Sequence, residues 1–251
     1  MKISLITVSY NSASTIGTTL ESVAAQSYPE LEYIIVDGRS SDSTLDIVNQ
    51  FSELVTLCIS EPDHGIYDAM NKGVQRATGE VIGILNSDDF FTHDHVLDEV
   101  CELFSKDPKL DVVLGDVNFV TDANLNKSVR VYTAAGFKPW MLRFGFMPPH
   151  PAVFVRKSAY ELVGTYKLDY KIAADFDFIT RLLLLDGAKY KISGKTWVRM
   201  RIGGASTNGI KSNLISTKEM LRSLRENGIY SNWFFLLFRL PVKYIKQVFF
   251  K

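Results

Sequence analysis

Two adjacent aspartates, Asp88 and Asp89, follow directly after the strand-like segment 80–85 of this 251-residue sequence. Neighbouring carboxylates repel each other, and a divalent cation is a common reason for keeping them together. Mg²⁺ and Mn²⁺ are typically held by one or two carboxylates and by phosphate oxygens of a substrate. The pair therefore predicts a Mn²⁺ or Mg²⁺ site that stabilises a departing diphosphate. The alternative is a turn or helix-capping pair, because Thr92-His93-Asp94 opens a predicted helix shortly afterwards.

A third acid, Asp37, follows the hydrophobic segment 33–36 and precedes Gly38. In nucleotide-binding α/β folds, an acid at the end of a strand accepts hydrogen bonds from a ribose or a base. The same position also suits an Asx turn that leads into the next helix. Both interpretations of Asp37 stay open at the level of the sequence.

The elements that would position these acids alternate along the first part of the chain. Apolar, β-branched segments at 3–9, 33–36, 54–59 and 80–85 are separated by segments of helical periodicity. This alternation predicts an α/β fold with a mostly parallel sheet flanked by helices. Asn11, Asp37 and Asp88-Asp89 all follow predicted strands, and ligands bind at that edge of such a sheet.

Five short sequence blocks occur in an order and spacing that are specific as a set. They are Thr7–Asn11, Val36–Thr44, Asp63–Gly73, Ala77–Glu80 and Leu85–Asp89. Together they resemble the opening of a family 2 glycosyltransferase of the Rossmann-like GT-A fold. The clear match covers about residues 3–91, and weaker matches run from about 147 to 206. The resemblance implies an inverting transferase of bacterial polysaccharide or lipopolysaccharide assembly that uses a nucleotide-sugar donor, with a lean to UDP-sugars.

The resemblance also implies roles for individual residues of these blocks. Asp37 resembles the acid that reads the nucleotide base, and Thr7, Ser9 and Asn11 are expected to line the same pocket. Other residues expected at the donor are Asp63, Asp68, Lys72, Asn86, Ser87 and Asp88. Asn86 replaces the first acid of the family's D-x-D motif, which leaves Asp88, with Asp89, to hold the metal.

The second half of the chain contains the expected catalytic base. The segment Ala173–Phe178 resembles the family's E-D block, in which the aspartate deprotonates the acceptor hydroxyl, and this places the base at Asp175. Ala174 replaces the preceding glutamate. Burial would raise the pKa of Asp175, whereas a helix N-terminus would lower it. The alternative role of Asp175 is a plain helix N-cap.

Three further residues are candidates for contacts to acceptor or phosphate. His150 lies between two prolines, and it is a candidate contact to the acceptor, the phosphates or the metal. Its alternative is a structural, hydrogen-bonded histidine. Arg199 and Arg201 precede Gly203-Gly204, an arrangement suited to clamping a diphosphate and ordering a loop over it. A solvated strand edge is the alternative for both arginines.

The absence of a Q-x-x-R-W block, which marks processive synthases of this family, predicts transfer of one sugar at a time. No Ser–His–Asp or Cys–His set stands out, and direct displacement needs none. The expected acceptor is a hydroxyl of a glycan or of a polyprenyl-linked saccharide. Two other functions stay open: a sugar nucleotidyltransferase, and a non-catalytic nucleotide- or carbohydrate-binding scaffold.

The overall composition limits the classes of partner and the location expected for this protein. The formal net charge is +0, so no overall field attracts nucleic acid. No apolar run approaches the roughly 18 residues of a transmembrane helix, and the N-terminus lacks a signal-peptide pattern, which predicts a cytoplasmic protein. Cys58 and Cys101 lie in apolar stretches and are expected to be buried, reduced thiols.

The organisation predicted is a catalytic domain over 1–211, with a donor half at 1–91 and an acceptor half at 92–211, followed by a helical tail at 212–251. The tail mixes aromatic residues with Arg239, Lys243, Lys246 and Lys251, and it has no acid after Glu226. This composition predicts contact with an anionic membrane surface, peripherally at the inner face of the plasma membrane. The alternatives are a helix docked on the catalytic domain and a homodimer interface.

Overall fold

A mixed β-sheet forms the centre of the computed structural model, which describes residues 1–203, 209–239 and 241. The strands are β1 Ile3–Ser9, β2 Leu31–Asp37, β3 Leu57–Ser60, β4 Val81–Ile84, β5 Asp89–Phe91, β6 Val112–Val120, β7 Arg130–Tyr132, β8 Val153–Arg156 and β9 Tyr190–Arg201. Their spatial order is β3-β2-β1-β4-β8-β6-β9-β5, and β7 pairs with β6.

The first four strands are parallel, as the strand–helix alternation predicts. Their register places Ser9 beside Asp37 and Asp37 beside Ser60, so three polar strand ends meet at one edge. The second half of the sheet is mixed, because β8 runs antiparallel to β4 and β6 while β9 runs parallel to β6. The predicted parallel arrangement therefore holds in the half of the sheet that carries Asp37. The half that follows is mixed.

Helices cover both faces of the sheet. They are α1 Ile16–Ala24, α2 Thr44–Asn49, α3 Ile66–Arg76, α4 Val96–Lys106, α5 Lys157–Val163, α6 Ala174–Thr180, α7 Gly209–Glu226 and α8 233–239. Short 3₁₀ segments occupy Pro139–Phe144 and His150–Ala152, and a π-helical turn, Arg181–Leu185, continues α6. Residues of β1 alternate between two cores: Ile6 lies in the core that contains residues of α3, α6 and α7, and Leu5 lies in the core that contains residues of α1 and α4.

Helix α7 packs in the same core as α6 of the acceptor half, although most of α7 lies in the predicted tail. Its Leu221 and Leu224 are buried in the cluster that contains Phe176 of α6. Asp177 of α6 is fully buried and accepts hydrogen bonds from Ser223 Oγ at 2.8 Å and Asn227 Nδ2 at 3.1 Å. The tail is thus docked on the domain as far as α7.

Helix α8 is docked as well. Leu236 is fully buried, and Phe235 stacks on Phe144 with 4.7 Å between ring centroids. Arg239, predicted as a membrane-facing cation, is buried instead and donates to Thr217 Oγ1 at 2.9 Å. That part of the tail prediction is wrong, because the apolar face of α8 draws Arg239 into the domain. Lys243, Lys246 and Lys251 of the predicted tail, and Gly204, lie outside the described residues.

Two simpler expectations have different outcomes. Cys58 is exposed on the edge strand β3 and Cys101 is partly exposed, so the prediction of two buried thiols is wrong. A sheet edge has no covering element on one side, and the apolar neighbours of Cys58 in the sequence do not reveal this. Among the described helices, none has the length and apolar character needed to cross a bilayer.

Candidate active site

Asp37 occupies the point where three parallel strands end side by side. Its fully buried carboxylate accepts hydrogen bonds from Ser9 Oγ at 3.1 Å, Ser60 Oγ at 2.8 Å and the Ser40 backbone N–H at 2.9 Å. Donors from β1, β3 and the following loop hold it in one orientation. The bond from the Ser40 N–H is the contact that an Asx turn would make, which was the alternative role predicted for Asp37. Asp37 therefore ends a strand and forms a turn contact at the same time.

The loops after β1 and β2 are joined above Asp37. Asn11 has a φ of 47°, and its Oδ1 accepts the Ser41 N–H at 2.8 Å while its own N–H donates to Ser40 Oγ at 2.8 Å. Gly38 lies against Asp63, since a Cβ on Gly38 would meet Asp63 Oδ2 at 2.4 Å. The structure therefore brings Ser9, Asn11, Asp37 and Asp63 together as the sequence predicts.

Asp68 and Lys72 on α3 fix the loop that carries Asp63. Asp68 Oδ2 accepts the His64 N–H at 3.0 Å, and Lys72 Nζ donates to the Pro62 carbonyl at 2.8 Å. The His64 N–H lowers the pKa of the Asp68 carboxyl, and the carboxylates of Glu61 and Asp68 raise the pKa of the Lys72 ammonium. Both side chains bind the backbone of the loop that carries Asp63. They therefore position the predicted donor pocket indirectly.

Thr7 does not line this pocket. Its side chain is fully buried, and its hydroxyl lies 3.0 Å from the Tyr33 hydroxyl inside the core. Thr7 and Ser9 point to the same face of β1, but only Ser9 reaches the end of the strand. The predicted lining role of Thr7 is wrong for that reason.

The loop after β4 forms the second end of the site. Ser87 Oγ donates to Ser12 Oγ at 2.8 Å, which connects this loop to the loop after β1. Asp88 is half-buried, whereas Asp89 is only 1% exposed and accepts a hydrogen bond from Asn86 Nδ2 at 3.1 Å. Asp89 begins β5, and successive side chains of an extended chain point to opposite sides. Asp88 is therefore the more exposed acid of the pair.

Charged groups from β9 and the β6–β7 hairpin surround Asp88. Burial raises the pKa of Asp88, the Arg201 guanidinium opposes this rise, and Asp122 adds to it. Arg201 donates to Asp122 Oδ1 at 2.6 Å and to Thr18 Oγ1 at 3.1 Å. Arg199 lies on the same face of β9 and donates to Asn126 Oδ1 at 3.2 Å. Arg201, rather than Arg199, is thus the arginine placed beside the predicted metal acid.

The donor set at this end suits a hard cation that shares its coordination with a substrate. Asp88 supplies a carboxylate, and the buried Asn86 Oδ1 has no hydrogen-bond partner. Within the described residues, no cluster of three or more acidic, histidine or cysteine side chains could hold a metal without help. Mg²⁺ and Mn²⁺ accept this situation, because phosphate oxygens and water complete their shell. The residues present fit such an ion bound together with a diphosphate.

Asp175 lies on a different element from Asp37 and Asp88, in the first turn of α6. Burial raises its pKa to about 6, in spite of the hydrogen bond that it accepts from the Phe176 N–H at 2.8 Å. Tyr67 of α3 donates to the Ile172 carbonyl at 2.6 Å and lies 3.4 Å from Asp175 Oδ1. Of the two opposing influences that the sequence left undecided, burial is the larger. A carboxylate with a pKa near 6 is well suited to accept a proton at neutral pH.

His150 stands at the edge of the same region. Its Nε2 is 2.8 Å from the Tyr166 hydroxyl, and burial lowers its pKa to about 4, so the ring is neutral at physiological pH. Tyr166 is close enough to Asp175 for that carboxylate to raise the tyrosine pKa further. The contact is the one expected of a hydrogen-bonded structural histidine, and it links His150 to Tyr166, a neighbour of Asp175.

Several site residues escaped the sequence analysis. Ser60 ends β3 as Ser9 ends β1, so the strand-end argument applied to the third strand would have found it. Tyr10, which lies in the Thr7–Asn11 block, is 65% exposed and lies beside Gly38. Asp122 and Glu219 have no local signal, because only the tertiary fold brings them to Asp88 and Asp175.

Solved structures share the architecture of this chain. S. aureus TarS residues 1–349, in complex with UDP-GlcNAc, matches with a TM-score of 0.70 and 21% identity over 89% of this chain and 66% of that chain. The mannosyltransferase PcManGT of Pyrobaculum calidifontis, in complex with GDP-Man and Mn²⁺, matches with a TM-score of 0.66 and 19% identity over 90% of this chain and 64% of that one. This chain spans somewhat less than two thirds of each. The predicted α/β fold of the GT-A class is confirmed.

Sequence relatives define the family. A PGL/p-HBAD biosynthesis glycosyltransferase of Mycobacterium bovis is 30% identical over 224 residues, which cover 88% of this chain and 83% of the relative. The putative teichuronic acid biosynthesis glycosyltransferase TuaG of Bacillus subtilis is 39% identical over 95 residues, 37% of this chain and 38% of that one. The model of glycosyl transferase family 2 matches residues 4–163. The chain therefore belongs to glycosyltransferase family 2, as its sequence blocks predict.

Proposed function

We propose that this protein transfers a single sugar from a UDP-sugar to a hydroxyl group of a glycan or polyprenyl-linked saccharide, with inversion at the anomeric carbon and with Mn²⁺ or Mg²⁺ as cofactor. The observation that carries the proposal is the separation of three acids into different surroundings. Asp37 is held by hydrogen bonds, Asp88 is half-buried beside Arg201 and Asp122, and the pKa of Asp175 is raised to about 6.

The base and ribose of the donor bind at the end of the site that contains Asp37. Asn11 and Asp63 supply acceptor oxygens there, the fully buried Asp37 fixes the strand ends and the loop beneath them through Ser9, Ser40 and Ser60, and the exposed Tyr10 ring offers a surface for stacking. The UDP-GlcNAc complex of TarS supports a uridine donor, while the GDP-Man complex of PcManGT shows that the fold also accepts guanosine.

The diphosphate binds at the other end, between Asp88 and Arg201. Asp88 would hold the metal, and the unpartnered Asn86 Oδ1 is placed to assist it or to meet a donor hydroxyl. Asp89 stays behind Asp88 as a buried group that orients the loop through Asn86. A divalent ion bound there neutralises negative charge on the departing nucleotide. Arg201 adds a guanidinium to the same region.

Asp175 acts on the acceptor. Its carboxylate takes the proton from the acceptor hydroxyl while that oxygen bonds to the anomeric carbon, and the bond to the diphosphate oxygen breaks on the opposite face. This single displacement inverts the configuration and needs no covalent enzyme intermediate. Tyr67 and the Phe176 N–H hold the carboxylate in place for the transfer.

The acceptor's lipid portion would be presented at a membrane surface. Exposed aromatic and aliphatic side chains form one patch on α8 and its neighbours: Trp140, Tyr230, Trp233, Phe234, Leu237 and Phe238. Ring contacts run from Trp140 through Phe144 and Phe235 to Tyr230, and the exposed Lys138 and Arg143 flank them. Aromatic rings with basic neighbours are typical of a protein face that lies on an anionic bilayer. We therefore place the enzyme peripherally on the cytoplasmic leaflet.

The chemistry is tested with UDP-GlcNAc, UDP-glucose, UDP-galactose and GDP-mannose, each with Mn²⁺, with Mg²⁺ and with EDTA. We expect metal-dependent release of a nucleoside diphosphate from at least one donor. Release of pyrophosphate from a sugar phosphate and UTP would instead establish a nucleotidyltransferase. Metal-independent binding without turnover of any donor would favour the scaffold.

Membrane contact is tested by flotation with vesicles that contain anionic phosphatidylglycerol. Phe234→Asp, at the most exposed apolar side chain of the patch, should abolish flotation and leave donor hydrolysis in detergent unchanged. Leu162→Asp is the matched control, because Leu162 is equally apolar and 71% exposed but lies on α5. Equal flotation of wild type and both variants would remove the membrane from the proposal.

A further inference from the structure

A carboxylate from another helix holds the segment that leads into α6. The N-cap residue of α6, Ala173, has no side chain able to accept a hydrogen bond. Glu219, on α7, binds the backbone just before the first turn: its Oε1 accepts the Lys171 N–H at 2.9 Å, and its Oε2 accepts the Ile172 and Ala173 N–H groups at 2.9 and 3.0 Å. Three consecutive amides pointing at one carboxylate form a well-defined anion nest.

The segment that Glu219 holds leads directly into the proposed base. Tyr67 of α3 donates a hydrogen bond to the Ile172 carbonyl of the same segment, and its hydroxyl also contacts Asp175. The position of Asp175 is therefore set by α3 and α7 jointly. α7 is itself rigidly docked through the buried Leu224 and through the bond from Ser223 to Asp177.

Glu219 also brings a negative charge to the segment next to Ala174. The residue before Asp175 is Ala174, where the resemblance expects a glutamate. Glu219 contributes to the raised pKa of Asp175, after the larger effect of burial. A carboxylate in this nest also offsets the partial positive charge of the helix N-terminus, which would otherwise lower the pKa of Asp175.

The other titratable groups facing Asp175 in the described part of the chain are tyrosines. Tyr67 of α3, Tyr132 of β7 and Tyr166 each have a pKa raised above its ordinary value, chiefly by burial. They stay neutral over the pH range in which Asp175 titrates. Glu219 is thus the carboxylate on another helix that adds to the raised pKa of Asp175.

We propose that Glu219 is a positioning residue for the catalytic base, so that α7, which lies beyond the residues matched by the family model, completes the active site. The carboxylate fixes the backbone of residues 171–173 and supplies, from a different helix, the negative charge missing at Ala174. This inference rests on the proposed role of Asp175.

The test measures nucleoside diphosphate release from whichever of UDP-GlcNAc, UDP-glucose and GDP-mannose the wild type turns over fastest with Mn²⁺. Glu219→Ala should lower kcat about 100-fold, because a displacement of the base by about 1 Å is enough for such a loss. The donor KM should stay near the wild-type value, since the donor contacts lie on other elements. In Glu219→Gln, which keeps the shape of the side chain, the acid limb of the kcat–pH profile should move to lower pH.

Glu226→Gln is the matched control. It removes the same charge from the same helix, and Glu226 contacts Arg222, Lys167 and Tyr170 rather than the base. Its kcat and acid limb should equal those of wild type. Hydrogen exchange of a peptide covering residues 171–175 should accelerate in both Glu219 variants and not in the control.

Two results would overturn the role of Glu219. One is a wild-type kcat and pH profile in both Glu219 variants. The other is a loss of kcat with an unmoved acid limb that Glu226→Gln reproduces, since this would mean only that α7 must dock. Asp175→Asn, assayed alongside, separates the two proposals: if that variant remains active, the base itself is misassigned, whatever the Glu219 variants do.

Discussion

Asp175→Asn should make the protein more stable and nearly inactive at the same time. The pKa of Asp175 rises from its usual 3.8 to about 6 because the ionised form is buried. Asparagine keeps an oxygen that can accept from the Phe176 N–H and removes the charge. At 1.36 kcal/mol for each pH unit, the ionised carboxylate costs the folded state about 3 kcal/mol, and the variant is freed of this cost.

The sign follows from proton binding. Between about pH 4 and pH 6 the folded wild type holds more protons than the unfolded chain, so its stability falls as the pH rises through this window and is level above it. The stability of Asp175→Asn lacks this contribution. The difference between the two proteins should therefore be largest above pH 6 and should vanish near pH 4.

Thermal unfolding at pH 4.5 and pH 8 measures this difference. For a chain of this size, about 3 kcal/mol corresponds to a Tm increase of about 6–12 °C at pH 8. Donor turnover should fall by about 10²–10⁴ in the variant, as is typical for loss of a general base. Wild-type turnover should rise from pH 5 to 7 and then level off.

Three results would contradict this reasoning. A variant that is less stable than wild type at pH 8 would mean that Asp175 is not a strained acid. A Tm difference independent of pH would assign the change to packing rather than to charge. Wild-type turnover that is flat between pH 5 and 7 would separate the raised pKa from catalysis.

Three other substitutions probe the rest of the site. Asp88→Asn should remove the Mn²⁺-dependent rise in Tm that UDP produces in thermal-shift assays, and an undiminished rise would place the ion elsewhere. Gly38→Ala should raise the donor KM, because its Cβ would displace the Asp63 carboxylate; Gly17→Ala is the control, because Gly17 likewise has no positive φ and its Cβ would meet only Ile47 Cγ2 at 3.9 Å. If the donor KM is unchanged in Gly38→Ala, Asp63 does not contact the donor. Asp177→Ala should lose about 3 kcal/mol in urea unfolding, because the fully buried carboxylate pairs with the largely buried Arg181 and accepts from Ser223 Oγ and Asn227 Nδ2; a loss below about 1 kcal/mol would mean that α7 docks without it.

The donor half of the site was predictable because its determinants are local in the sequence. Asp37 follows a β-branched segment, and a parallel sheet collects the ends of such segments at one edge. Ser9, Asn11 and Asp63 were found by the blocks that surround them, and the structure joins them as expected. Thr7 was misplaced because the blocks do not tell which residues of a buried strand reach its end.

The acids differ in what determines them. The sequence fixes that Asp88 and Asp89 are adjacent at the end of a core strand, but only the start of β5 decides that one is more exposed and the other is buried. The sequence likewise leaves two opposite influences on Asp175, and only the packing around α6 decides that burial is the larger.

What the sequence determined by itself is the kind of sheet and the edge at which its polar residues gather, since strand periodicity and strand ends are properties of neighbouring residues. What the tertiary structure decided is which side chains share a space across long separations. Glu219 reaches the amides before Asp175 from 46 to 48 residues away, and Arg201 reaches Asp122 across 79. Such contacts depend on how helices and strands pack together, and no local pattern encodes them.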